Sequence, residues 1–151
     1  MIRVQAEDFD PGAVLADFSV GNGRVGGVCV FVGLVRDFHG GDPVTAMTLD
    51  HYPGMTERQL AAIETEARAR WPLEDVRIIH RVGRLEAGER IVLVATAAAH
   101  RAAAFESCEF LIDWLKTKAP FWKLEHREDG ERWVAAQADD DRRAARWDAP
   151  A

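Results

Sequence analysis

Lysines at 116, 118 and 123 fall inside the stretch Trp114-Leu-Lys-Thr-Lys-Ala-Pro-Phe-Trp-Lys123, with no acid among them, in a chain whose formal net charge is −6. Such a chain has no positive long-range field to draw anions in, so a local cluster of ammonium groups reads as an anion pocket rather than a basic surface. Lys116 and Lys123 flank Pro120, and proline forces a turn that can aim both at one cavity. There they can hold a phosphate or an oxyanion, and desolvation can lower a lysine pKa far enough for proton transfer. The competing explanation is structural. Lys116 and Lys118 at a helix C-terminus complement its dipole by about 0.3–1 kcal/mol each, and Lys123 is then a solvated strand lysine.

Other cations stand at places that suit a site. His100-Arg101 lies where a strand gives way to a helix, and backbone N–H groups at a helix start already favour anions. Arginine can hold phosphate or carboxylate with two donors, and histidine can carry a proton near neutrality. A capping or loop pair is the alternative. Arg36 ends an apolar strand ahead of Gly40-Gly41, a position typical of sites on loops and equally of a snorkelling arginine. His51 and His80 read as ordinary core or surface histidines, and no His/Cys/Asp/Glu spacing matches a zinc site. Trp71, Trp114, Phe121, Trp122 and Trp133 can stack a flat heterocycle, although most should fill the core. The P-loop and the Gly-x-Ser-x-Gly elbow are both missing, which removes support for ATP-driven and serine-hydrolase chemistry.

The elements that must position these residues follow from pattern. Ile2 to Gln5 is β-prone, and Asp10-Pro11 opens a short helix to about Phe18. Gly26 to Val35 is a continuous apolar, β-branched run, expected as a strand buried on both faces. Residues 38 to 43 form a glycine-containing loop able to move over a ligand. Val44 to Tyr52 alternates as a half-buried strand. Thr56-Glu-Arg-Gln59 fits a capping box for a helix with Leu60, Ile63, Ala67 and Trp71 on its inner face. Asp75 to Val82 and Arg90 to Ala99 predict two antiparallel strands, with a bend or extra edge strand between Gly83 and Gly88. Phe105, Cys108, Ile112 and Leu115 mark a second amphipathic helix ending before Pro120. Phe121 to Glu128 and Glu131 to Ala136 predict a hairpin around Asp129-Gly130. A charged, solvated tail is expected from 139 to 151.

These elements describe a single α+β domain over residues 1–138, with a largely antiparallel sheet and two main helices. At 151 residues and 48% hydrophobic content, one core suffices. Nineteen Lys+Arg against twenty-five Asp+Glu argue against a general nucleic-acid binder. Cys29 and Cys108 sit singly in apolar runs, as core residues do. The start lacks a basic segment followed by an apolar one, and no apolar run approaches the ~18 residues of a membrane span. A cytoplasmic protein is expected.

Gly33-Leu-Val-Arg36, His51-Tyr-Pro-Gly-Met55, Arg70-Trp-Pro72, His80-Arg-Val-Gly83, Ala99-His-Arg101 and Leu115-Lys-Thr-Lys-Ala-Pro-Phe-Trp-Lys123, followed by Arg132-Trp133, occur in this order along nearly the whole chain. In order and spacing this set resembles the catalytic (large) subunit of molybdopterin synthase, the MoaE family. The resemblance implies an α/β-hammerhead-type fold. It implies a homodimer in which each copy engages a small ubiquitin-like sulfur-carrier subunit, making a heterotetramer. It also implies the reaction: two sulfurs pass from the carrier's C-terminal thiocarboxylate to cyclic pyranopterin monophosphate, forming the dithiolene of molybdopterin, with no cofactor, metal or ATP in this step.

Matched by motif, Lys116 and Lys123 correspond to the family's essential lysines, and Arg36, His100 and Arg101 to residues of its substrate pocket. Cationic donors suit a substrate phosphate and an acyl oxyanion. Lys116 is the candidate for proton transfer or oxyanion stabilisation and Lys123 for positioning, roles that can be exchanged. One departure stands out. Many members carry a basic residue after the lysine matching Lys123, and this chain has Leu124, then Glu125 and His126. Two rival readings use the same cations: a non-catalytic module binding a phosphorylated metabolite or partner tail, and a single-stranded nucleic-acid binder, which the net charge disfavours.

Overall fold

The computed structural model describes residues 1–135 and 137–148. In chain order these residues form β1 (Ile2–Gln5), α1 (Pro11–Asp17), β2 (Gly27–Leu34), β3 (Phe38–His39), β4 (Asp42–Pro43), β5 (Ala46–His51) and α2 (Met55–Arg70). Then come β6 (Leu73–Arg81), β7 (Gly83–Glu86), β8 (Arg90–Ala98), α3 (Arg101–Lys118), β9 (Phe121–Arg127), β10 (Gly130–Trp133) and α4 (Ala138–Ala145). One sheet has the order β1-β6-β8-β2 and a second has the order β10-β9-β5-β7, with β3-β4 as a small separate ribbon. Only β1 against β6 is parallel; every other pairing among the described strands is antiparallel. The expected α+β domain with a largely antiparallel sheet is what forms.

The chain passes from the first sheet to the second between β6 and β7, where Gly83 has φ 88. A side chain there would be strained, so glycine makes the sharp exit possible. The extra edge strand expected between Gly83 and Gly88 is β7.

β8 is the strand buried on both faces. Val92 and Val94 meet α2 and α3 through Leu60, Ile63, Phe110, Leu111 and Leu115, while Leu93, Ala95 and Ala97 pack with Phe9 and Phe18 on the other side. A third cluster, Val35, Leu49 and Leu85, joins the two sheets. The run from Gly26 to Val35, expected to be doubly buried, is instead an edge strand, with Val28 43%, Phe31 40% and Leu34 53% exposed. Its apolar character is real, but among the described residues no strand covers its outer edge.

Other departures are local. Thr56 does not cap α2. The helix starts two residues earlier, where Glu57 accepts a hydrogen bond from the Gly54 N–H at 2.6 Å, while Thr56 is buried with its hydroxyl donating to the Tyr52 carbonyl at 2.9 Å. The inner face of α3 is rotated from the expected stripe: Ala104, Ser107, Cys108, Phe110, Leu111 and Leu115 are buried, and Phe105 is 62% exposed. The 38–43 loop folds into the β3-β4 ribbon. The segment expected as a solvated tail is charged but docked: Ala144 of α4 is buried, and Arg146 and the Trp147 indole donate to Asp113 at 2.9 and 2.7 Å. The last residue of the expected hairpin, Ala136, lies outside the described residues, as do 149 to 151.

Candidate functional site

Lys116 stands in the last turn of α3. Ala119-Pro120 then reverses the chain tightly, with the Phe121 N–H donating to the Ala119 carbonyl at 2.9 Å, and β9 runs back between β10 and β5. Side chains alternate along a strand, so Phe121, Lys123 and Glu125 share a face of β9. Arg36 follows Val35, which is 2% exposed and fixed by backbone bonds to Gly88 and Glu89. The result is a cavity of about 330 Å³ that brings Arg36, Lys116, Lys123 and His80 together, with Phe31, Ile112 and Phe121 among its apolar walls.

Packing three cations into an apolar recess has a cost that the lysine shows. Burial, reinforced by Lys116 and Arg36, lowers the Lys123 pKa to about 8, with Asp140 and Glu125 pulling the other way. Lys118 takes no part in this cavity. Its Nζ lies 4.6 Å from the centroid of the Trp114 ring, which leaves it the helix-end role that the sequence allowed.

The rim is held by charge pairs. Glu125 is buried, and its carboxylate accepts from His39 Nδ1 at 2.8 Å and from Arg127 at 2.7 Å. Burial alone would raise its pKa, but the bonds from Arg127 and His39 outweigh that and keep it below the ordinary value. Arg127 also donates to Asp42 at 2.9 Å, so both strands of the β3-β4 ribbon are tied to β9 beside the cavity. Leu124, the departure noted in the sequence, alternates to the opposite face from Lys123. The residue that alters the pocket is therefore Glu125. Asp140 of α4 lines the same rim with Arg36, Lys116 and Lys123.

His100 and Arg101 lie elsewhere. They begin α3, and both are exposed. At 1.5 Å per residue, roughly 22 Å of helix separates Arg101 from Lys116. One chain therefore unites Arg36, Lys116 and Lys123 but not the His100-Arg101 pair. Of the aromatics, Phe121 lines the cavity, Trp71 and Trp114 pack with the core, and Trp122 and Trp133 are exposed. Sequence reasoning passed over His80 as a pocket residue, and also the His39–Glu125–Arg127 tie. The alternation of β9 beyond Lys123 carried the second signal.

A larger recess of about 520 Å³ shares Phe31, Ile112 and Lys116 and adds Cys29, Phe105 and Cys108. It lacks Arg36 and Lys123, so size does not choose the site; the convergence of cations does. Burial raises the Cys108 thiol well above its ordinary range, which makes it a poor nucleophile. Among the described residues no group of three or more His, Cys, Asp or Glu is arranged to hold a metal, and no helix is long and apolar enough to cross a membrane.

The chain has close counterparts among known proteins. The family model described as MoaE protein matches residues 4–118. A Pseudomonas aeruginosa protein named molybdopterin synthase catalytic subunit is 52% identical over 147 residues, covering 97% of this chain and 98% of that protein. Among solved structures, a molybdopterin biosynthesis MoaE protein from Burkholderia ambifaria superimposes with a TM-score of 0.83 at 53% identity, covering 99% and 98% of the two chains. A molybdopterin synthase from Staphylococcus aureus matches with a TM-score of 0.80 at 31% identity, over 87% and 95%. With a family model over residues 4–118 and relatives about half identical over nearly its full length, this chain belongs to the MoaE protein family.

Proposed function

We propose that the cavity of Arg36, Lys116 and Lys123 is the sulfur-transfer site of a molybdopterin synthase catalytic subunit. The observation that carries this reading is the convergence of three cations in one recess, one of them a lysine with a pKa near 8. Cyclic pyranopterin monophosphate supplies an anion for the guanidinium and ammonium groups, and the thiocarboxylated tail of a small carrier subunit supplies the sulfur. Each transfer forms a carbon–sulfur bond on the substrate in exchange for a carbon–oxygen bond, whose oxygen leaves as water or stays on the phosphate, and breaks the acyl carbon–sulfur bond of the carrier. Water supplies the oxygen that leaves with the carrier as carboxylate.

The lysine environments support a division of roles. Water attacking the acyl carbon loses a proton and generates an oxyanion. Lys123, held near the pH of the cell, can take that proton in its neutral form. Lys116, at the mouth of the same cavity, is the ammonium that faces the oxyanion. Arg36 holds the phosphate with paired donors. Lys116 thus keeps the oxyanion role read from sequence, while the proton transfer passes to Lys123.

His100 and Arg101 enter this site from a second copy. They lie too far along α3 to reach their own Lys116, whereas a partner packed along the exposed apolar edge of β2 can bring its helix start to the neighbouring cavity. The homodimer is then a catalytic requirement. The cytoplasm is the compartment this reading assigns, consistent with the two unpaired cysteines, Cys29 and Cys108.

The test is sulfur transfer by Lys116→Ala and Lys123→Ala, with carrier binding measured in parallel. Rates should fall by roughly 10²–10⁴-fold while carrier affinity changes little. Near-normal turnover in both variants would sink the assignment.

A further inference from the structure

His80 lies near the end of β6, 3% exposed, in the wall of the cavity that holds Arg36, Lys116 and Lys123. Its ring lies flat on Phe121, with centroids 3.8 Å and planes 13° apart. Its Nδ1 is 2.8 Å from the Arg81 carbonyl. A carbonyl only accepts, so the proton sits on Nδ1 and Nε2 carries the lone pair. Among the described residues Nε2 has no hydrogen-bond partner. Burial, with Lys123 and Lys116 nearby, holds the imidazole pKa down at about 3, so it stays neutral across the physiological range.

That makes His80 chemically unlike its neighbours. The other polar side chains lining this cavity, Arg36, Lys116 and Lys123, present N–H donors to a ligand when charged. A ligand that carried only anionic oxygens would satisfy them and leave Nε2 without a partner. A ligand with both an anionic group and an N–H would satisfy the whole wall. The stack on Phe121 fixes the ring plane, so Nε2 points in a set direction and can select one orientation of a flat heterocycle.

We propose that His80 orients the substrate, its Nε2 accepting a hydrogen bond from a ring N–H of the pterin while the phosphate meets Arg36 and the lysines. This rests on the sulfur-transfer reading above and adds to it the group that reads the heterocycle.

Nitrogen-15 NMR on the full chain labelled at histidine tests it with two ligands. Sulfate has no proton to donate and should leave the Nε2 resonance in place. Cyclic pyranopterin monophosphate should shift it upfield, as an accepted hydrogen bond does. A second arm uses His80→Asn, whose amide can keep the bond to the Arg81 carbonyl but has no atom at Nε2. Its substrate affinity should fall about tenfold with sulfate affinity unchanged. An Nε2 resonance unmoved by bound substrate, or already hydrogen-bonded in the free protein, overturns the inference. So does equal substrate affinity in a folded variant, or a parallel loss of sulfate and substrate, which marks a structural role. If the variant does not fold, the resonance measurement decides alone. Failure of the unsubstituted protein to bind the substrate overturns the sulfur-transfer reading itself and this inference with it.

Discussion

Because burial, Lys116 and Arg36 disfavour its charge, Lys123 binds its proton less tightly in the folded chain (pKa about 8) than unfolded (10.5). The folded state therefore carries a penalty that is complete below about pH 8 and relieved as pH rises toward 10.5. Lys123→Met should raise stability at pH 7 by on the order of 2 kcal/mol, an advantage that shrinks through that window, as urea denaturation at several pH values would show. The same lysine should set the pH profile. If its neutral form takes the proton from water, transfer rises with pH through about 8 and then levels. His80 contributes with the same sign at acid pH. Its folded pKa of about 3 against 6.5 unfolded means that stability is full above 6.5 and falls as pH drops toward 3. At this scale the sequence was informative about Lys116, Lys123 and Arg36, because lysines flanking a proline and an arginine at a strand end are local patterns. It was silent about His80. Its neutrality comes from burial and from cations brought by α3 and β9, and neither shows in the residues around position 80.

Two elements decide whether these groups meet. β2 enters its sheet through Gly26, where an added Cβ would lie 2.1 Å from the Ala99 carbonyl oxygen. Gly26→Ala should therefore cost about 1–3 kcal/mol by displacing β2 from β8, read as a lowered melting temperature. The β3-β4 ribbon is tied to β9 by Glu125 through His39 and Arg127. Glu125→Gln should loosen residues 37–43, seen as faster amide exchange there, and weaken substrate binding more than it slows the chemical step. Most elements were legible because their periodicity is local. β9 and β10 carried a turn signal at Asp129-Gly130, and α2 and α3 carried helical spacing. The errors arose where tertiary structure chose among local options. Thr56 had a capping pattern, but Gly54 could adopt the turn that starts α2 earlier. Phe105 and Ile112 kept helical spacing but face the groove beside β2 instead of the core centre.

A single chain leaves two features incomplete. β2 has an open apolar edge, and His100-Arg101 sits far from Lys116, so both features point to a second copy. Val28→Arg, a change on the exposed edge away from the cavity, should yield monomers by sedimentation and abolish transfer. Mixing Arg101→Ala chains with Lys123→Ala chains should restore about a quarter of normal activity, since half of randomly formed dimers then hold one intact site out of two. No restoration would place both residues in one chain's site. Apolar composition alone does not say which strand of a sheet lies at its edge, which is why the run from Gly26 to Val35 read as doubly buried.

The central claim is that this acidic chain moves sulfur onto a phosphorylated pterin. A single-turnover reconstitution tests it most directly: the protein, an excess of thiocarboxylated carrier and cyclic pyranopterin monophosphate are mixed, and carrier and pterin are followed together by mass spectrometry. Two carriers should be converted to carboxylate for each dithiolene formed. A folded complex that binds carrier and substrate yet leaves the thiocarboxylate intact would contradict it.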